Sequence, residues 1–243
     1  MDQTQMNVIE HLAELRRRII ITGIAFVLSF ILAFIFVKDN YQFLIKDLDG
    51  KLALLGPGDI IWIYMVIAGV MAIAVTIPVA AFEIWRFVKP ALTKVEQKVS
   101  LAFIPGLFFL FIFGIAFGYL VLFPIVLSFL TGLAGDQFET FFTAEKYFRF
   151  MLNLSLPFGF LFEMPVVVMF LTRLGIINPH TLVKARKISY FILIVVSILI
   201  TPPDFISDIL VIVPLLLLYE ISITLSKIIY RKRLSSDTNV VSN

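Results

Sequence analysis

From Ile19 to Val37 the chain runs nineteen residues without a charged side chain. A run of about 18 or more apolar residues can cross the hydrocarbon core of a bilayer as a helix. Hydrocarbon offers no water to the backbone, so such a segment must satisfy its N–H and C=O groups internally. Similar blocks recur along the 243 residues, separated by short charged clusters. They leave the chain 60% hydrophobic and only 15% charged, where a soluble domain carries about a quarter charged residues. An all-α integral membrane protein follows. It is expected to form a single polytopic membrane domain, residues 1–233, with no room for a second globular one.

Six spans are predicted, at about 18–37, 60–85, 101–130, 147–174, 188–200 and 209–226. Spans five and six are expected to be short. The thirteen residues of 188–200 would reach only about 20 Å at the helical rise. A re-entrant hairpin there would leave four spans. Arg16-Arg17-Arg18 before the first apolar run resembles the start of a signal sequence. That run is longer than a signal core of about 7–15 residues, so it is expected to be retained as a span. The tail 234–243 is polar and expected to be disordered.

Lysines and arginines set the orientation. With six spans, fifteen of them fall on one side, in the N-terminal tail, two loops and the C-terminal tail. The other side holds five: Lys38, Lys46, Lys51, Lys146 and Arg149. Both termini are therefore expected in the cytoplasm, in a multi-pass protein of the cell membrane. The formal net charge of +3 reflects these loops rather than nucleic-acid binding.

Turn chemistry supports the breaks. "GPGD" at 56–59 and "TPPD" at 201–204 are turn formers. Asn178-Pro179 places an N-cap before a first-turn proline, which predicts a short helix leading into span five. Pro78, Pro157 and Pro165 should kink their spans. Gly114-x-x-x-Gly118 would let another helix approach closely.

No cysteine and only two histidines, His11 and His180, occur. Disulfide and thiolate chemistry are excluded, and no metal or cofactor is expected. The chain has no P-loop, H-E-x-x-H or G-x-S-x-G pattern, and nothing in it points to an enzyme.

Three polar stretches stand out. In "HLAELRRR", 11–18, Glu14 and Arg18 lie at i and i+4, beside an apolar face of Val8, Leu12, Leu15 and Ile19. This reads either as an amphipathic entry helix or as a carboxylate surface for a cationic ligand. In "FVKPALTKVEQK", 87–98, Thr93 and Glu96 form a capping-box pattern. In "FGFLFEMPVVVMF", 158–170, Glu163 lies ten residues before Arg173, about 15 Å inward. A charge at such depth costs roughly 2.5–3.5 kcal/mol on insertion scales, so Glu163 is a functional candidate. Glu83 and Glu220 lie nearer the ends of their spans, are expected to snorkel and rank lower.

In register, "HLAELRRR", "FVKPALTKVEQK", "FGFLFEMPVV" and "TPPD" resemble the TatC family, the signal-peptide receptor subunit of the twin-arginine, Sec-independent protein translocase. The resemblance covers the chain to about Arg233. "FLIKDLDGKL", 43–52, departs from it in lacking a proline near Leu44–Lys46. The resemblance implies six spans with both termini cytoplasmic, and a receptor for signal peptides carrying adjacent arginines. It also implies assembly with small single-span subunits (TatA/TatB type) and with other copies of the chain. Such complexes export folded proteins using the proton-motive force.

By motif, Glu14 and Glu96 would meet the arginine pair, and Arg16 and Arg18 would position Glu14. Phe87, Leu92 and Lys94 would shape the same surface. Glu163 matches the family's intramembrane glutamate and Asp204 its extracellular aspartate, which could equally cap span six. A hollow beside Glu163 would offer it to a partner helix or an inserted signal peptide. The residues alone leave two other readings open: a proton-coupled solute transporter with Glu163 as carrier, and a purely structural scaffold.

Overall fold

The structure, a computed structural model, describes residues 3–45, 52–92, 97, 100–134, 141–201 and 204–241. Among the described residues the regular structure is helical, with one isolated parallel bridge between Ala53 and Thr143. The chain divides into two compact units, Met1–Phe108 with Phe142–Glu145, and Phe109–Phe141 with Lys146–Asn243.

The first unit contains α1 (Gln3–Ile35), α2 (Val37–Ile45) and α3 (Pro57–Val88). "HLAELRRR" is continuous with the first apolar run, so the entry segment and the span are one helix. The "GPGD" turn starts α3. Pro57 takes the first helical position, where a missing N–H costs nothing, and Asp59 Oδ2 accepts from the N–H groups of Leu55 and Gly56 at 2.9 and 3.1 Å. Both α1 and α2 pack on α3. The outer face of α1 leaves Ile20, Ile24, Val27, Leu28, Ile31 and Ile35 exposed, as a lipid-facing stripe requires.

The second unit begins within α4 (Phe103–Phe117). A π turn, Gly118–Leu122, links α4 to α5 (Phe123–Ala134). Pro124 explains the turn. Proline has no N–H for the helical bond to residue 120, and Phe123 N–H instead bonds the carbonyl of Gly118, one residue further back. The glycine pair works as its spacing predicts. A Cβ on Gly114 would lie 2.4 Å from the carbonyl oxygen of Phe158, and one on Gly118 2.5 Å from Cα of Ser155. Only glycine allows this backbone approach to α6 (Ala144–Leu161).

α7 (Met164–Arg173), α8 (Pro179–Ile200) and α9 (Phe205–Val241) complete the unit, with α7 and α8 both packed on α9. Asn178 caps α8 as expected, its Oδ1 accepting from His180 N–H at 3.0 Å. α9 takes in most of the polar tail that composition leaves outside regular structure, running through Val241.

Among the described residues, five helical stretches are long and apolar enough to cross a membrane: Glu10–Ile35, Pro57–Val88, Phe103–Leu133, Ala144–Arg173 and Phe205–Arg231. The last is 27 residues long, which corrects the short sixth span predicted at 209–226. Within the longer helix the Asp208 carboxylate accepts a hydrogen bond from Thr201 Oγ1. α8 is the remaining element of the expected six. Lys184, Arg186 and Lys187 interrupt its first half, leaving only 188–200 free of charge.

The three proline expectations separate. α3 runs unbroken through Pro78 and α6 through Pro157. The chain does break before Pro165, where α6 ends at Leu161 and α7 begins at Met164. Pro165 cannot donate to the Leu161 carbonyl. In the gap, Glu163 N–H bonds Phe160 at i−3 rather than i−4, at 3.1 Å.

Candidate functional site

In the first unit the packing of α1 on α3 assembles a charged cluster. Arg18 is its centre. One terminal nitrogen donates to Glu14 Oε1 at 2.8 Å, one turn back on α1. The other donates to Glu83 Oε2 at 2.9 Å, across on α3. Arg86 approaches the second oxygen of Glu83 at 3.7 Å. Glu83 is only 5% exposed, so the snorkelling expected of it is corrected. Its charge is buried and met by guanidinium on both oxygens.

Beside this cluster lies a cavity of about 490 Å³, walled by Leu15, Ile19 and Phe26 of α1 and Ala80, Ile84 and Phe87 of α3. Arg18 and Glu83 also line it. Its hydroxyls are self-satisfied, Thr22 bonding the Arg18 carbonyl and Thr76 that of Ala72. Phe87 stacks on His11 with ring centroids 4.2 Å apart.

Of the sequence candidates here, Glu14, Arg18 and Phe87 come together. Arg16 is exposed. Leu92 closes the 3₁₀ turn Lys89–Ala91, its N–H bonding Lys89 at 3.1 Å. Its carbonyl accepts from Gln97 Nε2 at 3.1 Å. Glu96, Lys94 and the Thr93 capping box lie outside the described residues.

The second unit holds Glu163 in the break between α6 and α7. It is 9% exposed, and among the described residues no side chain hydrogen-bonds or ion-pairs with either carboxylate oxygen. Rather than opening onto a hollow, both oxygens are enclosed by protein. The break is flanked by aromatic contacts, with Phe113 and Phe117 against Phe162 at 5.4 and 5.5 Å.

Glu220 does not snorkel freely either. It accepts from Arg186 at 2.7 Å and from the Tyr190 hydroxyl at 2.5 Å, which ties α8 to α9. Asp204 is the N-cap of α9, its Oδ1 accepting from Ser207 N–H at 2.7 Å.

Sequence reasoning missed the part Glu83 plays. Glu83 and Arg86 share a helix face at i and i+3, which signals a local pair. The Arg18 partnership spans 65 positions and exists only once α1 lies on α3.

These features define a multi-pass helical membrane protein with ionisable side chains set inside its spans. Residues 10–214 match the family model described as Sec-independent protein translocase protein (TatC). The chain is 67% identical over 238 residues to the Sec-independent protein translocase protein TatCd of Bacillus subtilis (strain 168), covering 98% of each chain. It is 43% identical to TatCy of the same organism, covering 96% of this chain and 93% of the relative. A crystal structure of the twin arginine translocase receptor TatC matches at 35% identity with a TM-score of 0.77, over 90% of this chain and 99% of that one. The chain belongs to the TatC family. It is a membrane component of a protein translocase, a transport subunit and not an enzyme. That assignment takes the place of the solute-transporter reading.

Proposed function

We propose that this chain is the core subunit and signal-peptide receptor of a twin-arginine translocase in the cell membrane. In this reading the chain crosses six times, α8 serving as a short span, and both termini are cytoplasmic. Glu14 and Glu96 meet the two arginines of the signal peptide. Arg16 and Arg18 position Glu14, while Phe87, Leu92 and Lys94 shape the surrounding surface. Glu163 serves as a polar handle within the membrane, and Asp204 holds the start of the last span on the opposite side. Small single-span subunits and further copies of the chain assemble on this core for export of folded proteins driven by the proton-motive force.

The observation that carries this reading is Glu14 itself. It is partly exposed, with one oxygen engaged among the described residues, by Arg18, which itself lines an apolar cavity. Guanidinium pairs with carboxylate in a bidentate, charge-assisted geometry that an ammonium group cannot reproduce. Titration of the purified protein with a fluorescent twin-arginine signal peptide should give affinity at least about tenfold tighter than with its twin-lysine analogue. Equal affinities would dismiss the receptor reading.

A further inference from the structure

Resting on that reading, the cluster raises a problem of competition. Glu14, the carboxylate offered to a ligand guanidinium, already faces a guanidinium of its own chain. Arg18 could engage both Glu14 oxygens in the fork geometry that Arg–carboxylate pairs favour. It does not, because its second terminal nitrogen is drawn to Glu83 at 2.9 Å. Glu14 is therefore held by a single bond, through Oε1 at 2.8 Å. Among the described residues Oε2 accepts no hydrogen bond, and the side chain stays 35% exposed.

We propose that Glu83 is a specificity-determining positioning residue: by dividing the Arg18 guanidinium between two carboxylates, it keeps one face of Glu14 free for the arginine of the signal peptide. Glu83 is suited to the task because it is itself fixed. It is buried, sits on α3 rather than on the helix that carries Glu14, and is further held by Arg86 at 3.7 Å. Without its charge, Arg18 turns wholly onto Glu14, and the chain occupies its own site. Arg18 thus acts as a tethered competitor that Glu83 restrains.

The prediction separates this from a merely structural role, because removing the competitor should undo part of the damage. Glu83→Gln is expected to weaken twin-arginine peptide binding about tenfold, the scale of a charge-assisted hydrogen bond. The double variant Arg18→Gln/Glu83→Gln should bind several-fold more tightly than Glu83→Gln alone, yet more weakly than the unmodified chain, because Glu14 has also lost the arginine that positions it. A ligand-free readout runs alongside: carbodiimide-driven amine labelling of Glu14, read by mass spectrometry of the intact purified protein. Labelling should slow in Glu83→Gln and return in the double variant. Equal labelling of Glu14 in the unmodified chain and Glu83→Gln overturns the proposal, whatever the peptide does. A double variant that binds as weakly as the single one also overturns it, since the cluster is then only a brace. Labelling that follows the expected pattern, without preference for arginine over lysine peptides, upholds the competition at Glu14 and removes the receptor reading instead.

Discussion

Glu83 and Glu163 are both glutamates buried inside apolar helical stretches, 5% and 9% exposed. Their surroundings differ in kind. Glu83 meets two guanidinium groups, while Glu163 meets no charged partner among the described residues. The first is held by charge between two helices. The second is held by the backbone, in a break that Pro165 creates and that close apolar packing of its own unit surrounds. A buried charge with partners commits its neighbourhood to one geometry, because removing either partner strands the other. A buried carboxylate without them has its interaction free energy still unspent.

Three substitutions probe that contrast. The largest loss of stability is expected from Glu83→Ala. It removes the carboxylate that ties α1 to α3 through Arg18 and leaves Arg86 without that partner, and should give the largest fall in melting temperature of the three, read from denaturation in detergent. A cost near zero would make Glu83 as dispensable to the fold as an unpaired group. Next is Gly114→Ala, whose new methyl would sit 2.4 Å from the Phe158 carbonyl oxygen. Prying α4 from α6 should cost about 1–3 kcal/mol, seen as a lower melting temperature. An unchanged melting temperature would mean that backbone contact does not hold the second unit. The smallest effect belongs to Glu163→Gln. With no ion pair to break, it should change stability by less than about 1 kcal/mol while lowering export of a folded reporter in cells. A large stability loss would assign Glu163 a partner within the chain and erase its difference from Glu83.

Much of this was legible in the sequence, for reasons that particular residues make plain. The apolar blocks marked the helices because hydrocarbon selects on length and composition. Asn178-Pro179 and the "GPGD" turn marked helix starts because their capping chemistry is local. Glu14 and Arg18 were legible as a pair because one helical turn separates them. What escaped depended on packing. The Glu83–Arg18 bond needs α1 against α3, which no spacing encodes. The last span was predicted at 209–226, whereas its helix begins at Phe205 and runs through Val241. Three span prolines read alike, yet only Pro165 breaks its helix.

The π turn at Gly118–Leu122 has a consequence of phase. A turn that holds one residue more than an α-helical turn re-indexes everything after it by about 100°. The third span is thus two helices in series, each with its own clock. Before the turn, Phe111 and Gly114 keep time toward the protein; after it, Phe123 and Val126 do. A periodicity drawn through the whole span averages the two and sees neither, and one residue deleted within the turn would set the second clock to the first.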